Sequence, residues 1–574
     1  MSSKRAPSVT QDADVIVVGS GAAGGMAAYA LTRRGLKVLL LEAGRDYDPY
    51  SETPMWEWAS QAPLRAAATP DKEMGYFDAT VDGGWDIPGE PYTLAEGTEF
   101  RWWRARMLGG RTNHWGRLSL RFGPDDLRSG SLDGQGIDWP ITYAELEPWY
   151  DRVEQLIGVH GAAEGIANSP DSPPGVLLPP PPPRAYEAWL QMTASRRTGV
   201  PIVPAHVAVL TRPHRGRPAC LYATPCDRGC AIGANFQSTT VLLPKARQSG
   251  RLQTRTDAMV HRVDVDARGR ACGVTYIDRK TGAEHRVRSR AVMLGASALE
   301  STRILMMSRS AAHPDGLGNG SGALGRYLTD TPGTSVVAQF PALEALPPFA
   351  DEGTSLCHVY SPWWLAGRHA SANLDFSRGY HIEYYGGRAL PDADAMEMLA
   401  SLSEGQSGRA LKVALKRQFG TFAYLVGRGE MLPRARNRVE LDSGVKDRFG
   451  LPVLKFHFEW DDQALRQVAH MRRTLVDLVQ AAGGRVLGDA SLDPTRTIST
   501  PGKVIHELGT ARMSARPTDG VLDRHGRCWE VPGLYVIDGA AFTSNPEKNP
   551  TLTILALAWR ASDRVASEML RRSL

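Results

Sequence analysis

Three cysteines, Cys220, Cys226 and Cys230, fall inside the stretch CLYATPCDRGC of a 574-residue chain that has only six in all. A disulfide would use two and leave an odd thiol. Zinc would want a fourth ligand, and only His206 and His214 stand close upstream. Three thiolates suit a [3Fe–4S] cluster, in which each iron takes one cysteine. The spacing leaves that cluster, a zinc or other structural site, and plain reduced thiols open. A second chemistry belongs to His506 in HELGTARMS and Asn549 in NPTLT. A neutral imidazole can remove a hydroxyl proton near pH 7 as hydride leaves the carbon. An amide beside it can hold the oxygen without competing for that proton. A third belongs to Gly19, Gly21 and Gly24 in GSGAAG. The first glycine permits a tight turn, the second a close approach to pyrophosphate, and the third tight helix–strand packing. Glu42 follows at the distance where an acid binds ribose hydroxyls.

These residues need elements to position them. Residues 14–44 read as βαβ: a strand over Val15–Val18, a small-residue helix stopping near Gly35, and a strand over Leu36–Leu41. The proline-rich run at 168–184 predicts a stiff extended connector. Residues 251–295 predict a small antiparallel meander ending in the strand AVMLGA, and ALESTRILMM predicts a helix. In YHIEYYG, His381, Glu383 and Tyr385 would share one strand face. Val504 would share a face with His506 if that segment is extended. Asn549 before Pro550 predicts an N-cap with proline at the first helical position. Trp102 and Trp103 either offer sugar-stacking faces or pack core. Net charge is +5 over 67 basic and 62 acidic residues, which speaks against a nucleic-acid partner. No apolar run is long enough to predict a transmembrane segment.

The segments GSGAAG, MLGGRTNHWG, the cysteine cluster, AVMLGASALESTRIL, HELGTARM and NPTLT, in this order, resemble the glucose–methanol–choline (GMC) oxidoreductase family. The similarity is to its pyranose oxidases and bacterial FAD-dependent sugar dehydrogenases. The resemblance implies FAD as the cofactor, His506 as general base and Asn549 as its partner beside the flavin. It assigns Gly19, Gly21, Gly24, Glu42, Gly109, Gly110, Asn113, His114, Val260, Asp538, Gly539, Pro550 and Thr551 to cofactor binding. His114 matches the position that in pyranose oxidases bonds covalently to the flavin, implying an 8α-histidyl FAD. The cysteine spacing followed by IGA resembles the iron–sulfur segment of bacterial FAD glucose dehydrogenases, which implies a [3Fe–4S] cluster on Cys220, Cys226 and Cys230. The face of His381, Glu383 and Tyr385, with Val504, is the expected substrate wall.

The expected fold class is α/β (α+β): a Rossmann-like FAD-binding domain with an interleaved substrate-binding domain on an antiparallel sheet. The expected boundaries are 10–334, with an insertion and cysteine-cluster segment at 211–235, then 335–495 for the substrate domain and 496–574 for the returning FAD domain. The expected activity is dehydrogenation of a sugar or glycoside ring hydroxyl (C3, C2 or the anomeric carbon), electrons leaving through the cluster to a protein acceptor. An oxygen-using oxidase and a non-catalytic flavin-binding protein are the alternatives. Expected partners are a small subunit bearing an export signal and a cytochrome-type acceptor. The chain shows no signal peptide of its own, so periplasmic residence would come through that partner; a cytoplasmic location is the alternative.

Overall fold

The computed structural model describes residues 9–53, 55, 61, 83–222, 226, 229–346, 357–368, 372–386 and 405–571. In chain order the elements that matter begin with strand β1 (Val9–Val18), helix α1 (Ala22–Arg33), β2 (Val38–Leu41) and β3 (Val203–Pro204). Then come β4 (Leu252–Arg255), β5 (Ala258–Val265), β6 (Ala271–Asp278), β7 (Glu284–Leu294) and α2 (Ala298–Met307). The middle of the chain supplies β8 (Gly333–Gln339), β9 (Val359–Ser361), β10 (Tyr380–Gly386), β11 (Phe422–Gly429), α3 (Asp462–Ala481) and β12 (Arg485–Leu487). Strand β13 (Leu534–Val536) and helix α4 (Thr551–Leu570) return to the first half.

One seven-stranded sheet runs β4-β2-β1-β7-β6-β5, with β13 also on β7. Strands β4, β2, β1, β7 and β13 are parallel, and Val15, Ile16 and Val17 are fully buried, as a strand covered on both faces requires. Strand β4 was expected in the antiparallel meander. It lies instead parallel on β2, because helix Leu243–Gln248 brings the chain back as a crossover. The antiparallel expectation holds for β5, β6 and β7. Helix α4 lies against α1, where Trp559 meets Tyr29 edge-on at 5.6 Å.

The second sheet is antiparallel, ordered β12-β8-β11-β10-β9-β3. It takes β3 from well before residue 335. Tyr380, Ile382 and Tyr384 on β10, with Ala423 and Leu425 on β11, pack with Met471, Leu475 and Leu478 of α3. Strand residues alternate in direction, so His381, Glu383 and Tyr385 take the opposite face. Arg428 stands directly across from His381 on that face.

Candidate active site

The glycine turn is built by close approach. Gly19 sits at φ +89, and a Cβ on Gly24 would lie 1.8 Å from the Gly19 carbonyl oxygen. A Cβ on Gly21 would meet nothing nearer than the Gly109 oxygen at 3.9 Å. The turn therefore opens onto space at the N-terminus of α1, whose cap has no side-chain hydrogen bond and whose first turn has no acid. Free N–H groups and the positive helix end fit a pyrophosphate. Glu42 closes the turn from behind: it accepts from the Ser20 N–H at 3.0 Å, from the Ser20 hydroxyl, and from the Gly44 N–H at 2.8 Å. The Ser20 oxygen accepts in turn from the Gly109 N–H at 2.8 Å, which ties in the Gly109–Gly110 pair. Asn113 is buried, donating to the Leu108 carbonyl at 2.9 Å and accepting from Thr239 at 3.2 Å, so its side chain shapes this loop. His114 Nε2 accepts from Trp103 Nε1 at 3.0 Å. Trp102 and Trp103 are core residues, 2% and 1% exposed, and offer no face to a sugar. Val260 is buried on β5, two residues past Ala258, whose N–H donates to the Glu42 carbonyl.

The C-terminal segments close on this cradle. Arg111 donates to Glu507 at 2.7 Å, binding the loop after Gly110 to the residue after His506. Asp538 caps the short turn at Gly539–Ala541 and accepts from Ser301. Burial pushes its carboxyl up to about 6. The Gly509 N–H donates to the Gly539 carbonyl at 2.9 Å.

His506 is fixed through Nδ1, 3.1 Å from the Thr331 hydroxyl, and through its backbone N–H to Asp330 at 3.3 Å. Burial, and after it the charge of Arg428, pulls the imidazole down to about 3. Val504 does not share its face: it ends a turn, and Ile505 at φ +63 breaks the extended run. Asn549 is not the N-cap either. Pro550 holds that position, α4 begins at Thr551, and no side chain caps it. The Asn549 amide instead donates to Glu383 at 3.2 Å.

Glu383 gathers the rest of the expected wall. It accepts from His381 Nε2 at 3.2 Å, from Tyr385 at 2.8 Å and from Arg428 Nε at 3.3 Å. Burial alone would raise its carboxyl, but the Arg428 guanidinium, with His381 and Tyr385, holds it well below the usual carboxylate range. The structure thus unites five expected residues, His506, Asn549, His381, Glu383 and Tyr385. It adds Thr331 and Arg428, which sequence reasoning missed. The signal for Arg428 was a lone charge in the otherwise uncharged strand-like run TFAYLVGRG.

The cysteine segment is stitched to the flavin-side loop. Arg117, fully buried, donates to the Cys226 carbonyl and the Asn113 carbonyl, each at 2.8 Å. Trp115 donates to the Phe236 carbonyl at 3.1 Å, the Ser238 N–H to Thr112 at 3.0 Å, and Gln237 to the Cys230 carbonyl at 3.3 Å. Cys226 and Cys230 are buried and Cys220 half-buried. Burial, with Cys226 and Cys230 as neighbours, pushes the Cys220 thiol up to about 12. His206 and His214 each have Nε2 against a backbone carbonyl, at 2.9 and 2.7 Å, which weakens the zinc reading. Residues 223–225 and 227–228, between the cysteines, lie outside the described residues. Elsewhere among the described residues, Asp126, Glu430 and Glu547 converge, but Lys548 at 2.8 and 2.7 Å and Arg378 at 2.6 Å make this an ion-pair cluster.

A nucleotide cradle at a βαβ turn, with an imidazole and an amide brought in from the C-terminal segments under a second sheet, fits a dinucleotide-dependent oxidoreductase. Family models described as GMC oxidoreductase match residues 192–332 and 433–558, and one described as FAD binding domain matches 14–85. The 2-methyl-1,2-propanediol dehydrogenase of Mycolicibacterium austroafricanum is 30% identical over 96% of this chain and 95% of its own. The fructose dehydrogenase large subunit of Gluconobacter japonicus is 26% identical over 98% and 99%. A crystal structure of formate oxidase shares the fold at TM-score 0.66 and 14% identity, covering 98% of this chain and 100% of that one. The chain belongs to the GMC oxidoreductase family, and it is an FAD-dependent oxidoreductase.

Proposed function

We propose that the protein is a dehydrogenase that oxidises a ring hydroxyl of a sugar or glycoside, at C3, C2 or the anomeric carbon, and passes electrons through a [3Fe–4S] cluster to a protein acceptor. The observation that carries the reading is His506, held at Nδ1 by Thr331 and set near the same Glu383 carboxylate of β10 to which Asn549 donates. FAD, when bound, supplies the hydride acceptor at its N5. With Nδ1–H donating to the Thr331 oxygen, the lone pair of His506 lies on Nε2 and takes the hydroxyl proton. Asn549 and the fixed side chains of β10 orient the hydroxyl-bearing ring. The imidazolium formed is offset by the nearby Glu383 carboxylate. His114 stands in the loop that Gly109 ties to the nucleotide turn, and a covalent link through it to the flavin is part of this proposal.

The cysteine site supports the electron exit by its donor set and position. Cys226 and Cys230 are buried with Cys220 half-buried near them, and Arg117 brings a buried positive charge to the Cys226 carbonyl, which suits an anionic thiolate cluster. A [3Fe–4S] cluster, when bound, would take electrons one at a time. Two similar proteins are named dehydrogenases, and one is named a large subunit, which supports work with a small subunit and a cytochrome-type acceptor. Periplasmic residence through such a subunit completes the proposal. No described helix is long and apolar enough to cross a membrane.

An anaerobic screen of sugars and glycosides, following flavin absorbance, tests the reading on protein also assayed for iron and acid-labile sulfide. The expected result is bleaching by a sugar, near three irons per chain, and a His506→Ala variant that keeps its flavin but is not reduced. Rapid oxygen consumption with no iron would replace the dehydrogenase by an oxidase.

A further inference from the structure

We propose that Glu383 is a positioning residue that fixes the orientation of the Asn549 amide and the ring of His381, and is not itself a ligand of the substrate. The inference rests on His506 and Asn549 being the catalytic pair.

The side chain of Glu383 is 2% exposed, and each oxygen accepts twice. One oxygen accepts from His381 Nε2 and Asn549 Nδ2, both at 3.2 Å. The other accepts from the Tyr385 hydroxyl at 2.8 Å and Arg428 Nε at 3.3 Å. A carboxylate offers about four lone-pair sites, so none is left for a substrate hydroxyl. The expectation that Glu383 lines the sugar pocket as a ligand is thereby replaced.

A carboxylate can only accept, and this dictates the state of its neighbours. The Asn549 nitrogen must face it, because turning the amide over would set oxygen against oxygen. His381 must carry its hydrogen on Nε2. Asn549 Oδ1 and His381 Nδ1 are consequently left as buried acceptors with no partner among the described residues. Buried unpaired acceptors cost free energy, and the carboxylate between the two side chains is the hydrogen-bond partner that holds both in this pose. Glu383 is itself braced by strand geometry: His381 and Tyr385 flank it on β10, and Arg428 projects from β11 opposite His381. Removing the charge would leave the half-buried Arg428 without this counter-ion. The whole arrangement belongs to the sheet, so Asn549, at the head of α4, is aimed by an element from another part of the chain.

The test is a double-mutant cycle in stopped flow on the flavin-loaded protein, using Glu383→Gln, Asn549→Ala and both together. Glutamine keeps the shape but has one acceptor oxygen; the Arg428 guanidinium draws that oxygen to its own side, and the NH2 group then faces the Asn549 and His381 donors. The expected result is a fall in the limiting rate of flavin reduction of roughly 10- to 100-fold, with substrate Kd within about twofold of wild type. The double variant is expected to be no slower than Asn549→Ala alone, because both changes disable one device. A raised Kd at unchanged rate, or losses that multiply in the double variant, would overturn the proposal. If Glu383→Gln does not hold flavin, Glu383→Asp takes its place: the charge stays but withdraws from Nδ2, and a wild-type rate would be equally fatal. Should no alcohol or sugar bleach wild-type flavin, the catalytic reading fails separately. The crystal structure of Glu383→Gln then decides, a displaced Asn549 side chain supporting the proposal and an unmoved one ending it.

Discussion

His506 is held at two points and tuned by a third effect. The Thr331 hydroxyl meets Nδ1, Asp330 anchors the backbone, and burial lowers the proton affinity of the ring. The sign of the pH dependence follows. Protonation would switch the base off, and its proton affinity in the folded chain is lowered to about 3, far below the roughly 6.5 of a free histidine. Flavin reduction should therefore stay flat within about twofold from pH 8 down to 5. A tenfold loss centred near the free-histidine value, seen in stopped flow, would show that the ring is not buried in the working enzyme. At this scale the sequence was readable where chemistry and local pattern coincide. His506 and Asn549 stood out by motif, and His381, Glu383 and Tyr385 by strand alternation. Thr331 and Arg428 meet the site only through contacts spanning 175 and 45 residues, and no local pattern announces such a meeting. Val504 and the expected cap at Asn549 failed for a related reason. A positive φ at Ile505 broke the period, and the tertiary pull of Glu383 outweighed a local capping bond.

Elements show the same division. The βαβ unit was legible because strand, glycine turn, helix and second strand follow one another directly, and Gly24 answers to Gly19 five residues away. A Cβ at position 24 would strike the turn's own carbonyl at 1.8 Å, and no side chain can yield there. Gly24→Ala should cost about 3 kcal/mol or more and leave protein with little bound flavin, measured as the absorbance ratio at 450 and 280 nm (~0.1 of wild type or less). A variant that purifies fully yellow would contradict the packing described. The parallel placement of β4 was not legible, because a four-residue strand carries no mark of the partner it will join. The second sheet was readable as strands, yet its recruitment of Val203–Pro204 from before the cysteine segment follows from tertiary pairing alone.

At the scale of the molecule, one buried ion-pair cluster joins regions distant in the chain. Asp126 belongs to the first third, Arg378 and Glu430 to the second sheet's surroundings, and Glu547 and Lys548 to the run just before Asn549. Burial pushes Glu430 up to about 8, with Asp126 and Glu547 adding to it against the pull of Arg378. Its folded value lies above the ordinary 4.5, so its contribution to stability is complete below that value and is lost as pH rises through about 8. Thermal melting of the holoprotein should fall more steeply between pH 6 and 8.5 in wild type than in Glu430→Gln. Parallel curves would remove the proton from Glu430. The topology also has a consequence for synthesis. Strand β13 is laid beside β7 from more than two hundred residues away, and α4, at Thr551–Leu570, reaches α1 from more than five hundred. A ribosome carrying a shorter nascent copy thus displays a nucleotide turn with neither imidazole nor amide opposite it, and over five hundred residues must be translated before the polypeptide can draw an electron from anything it meets.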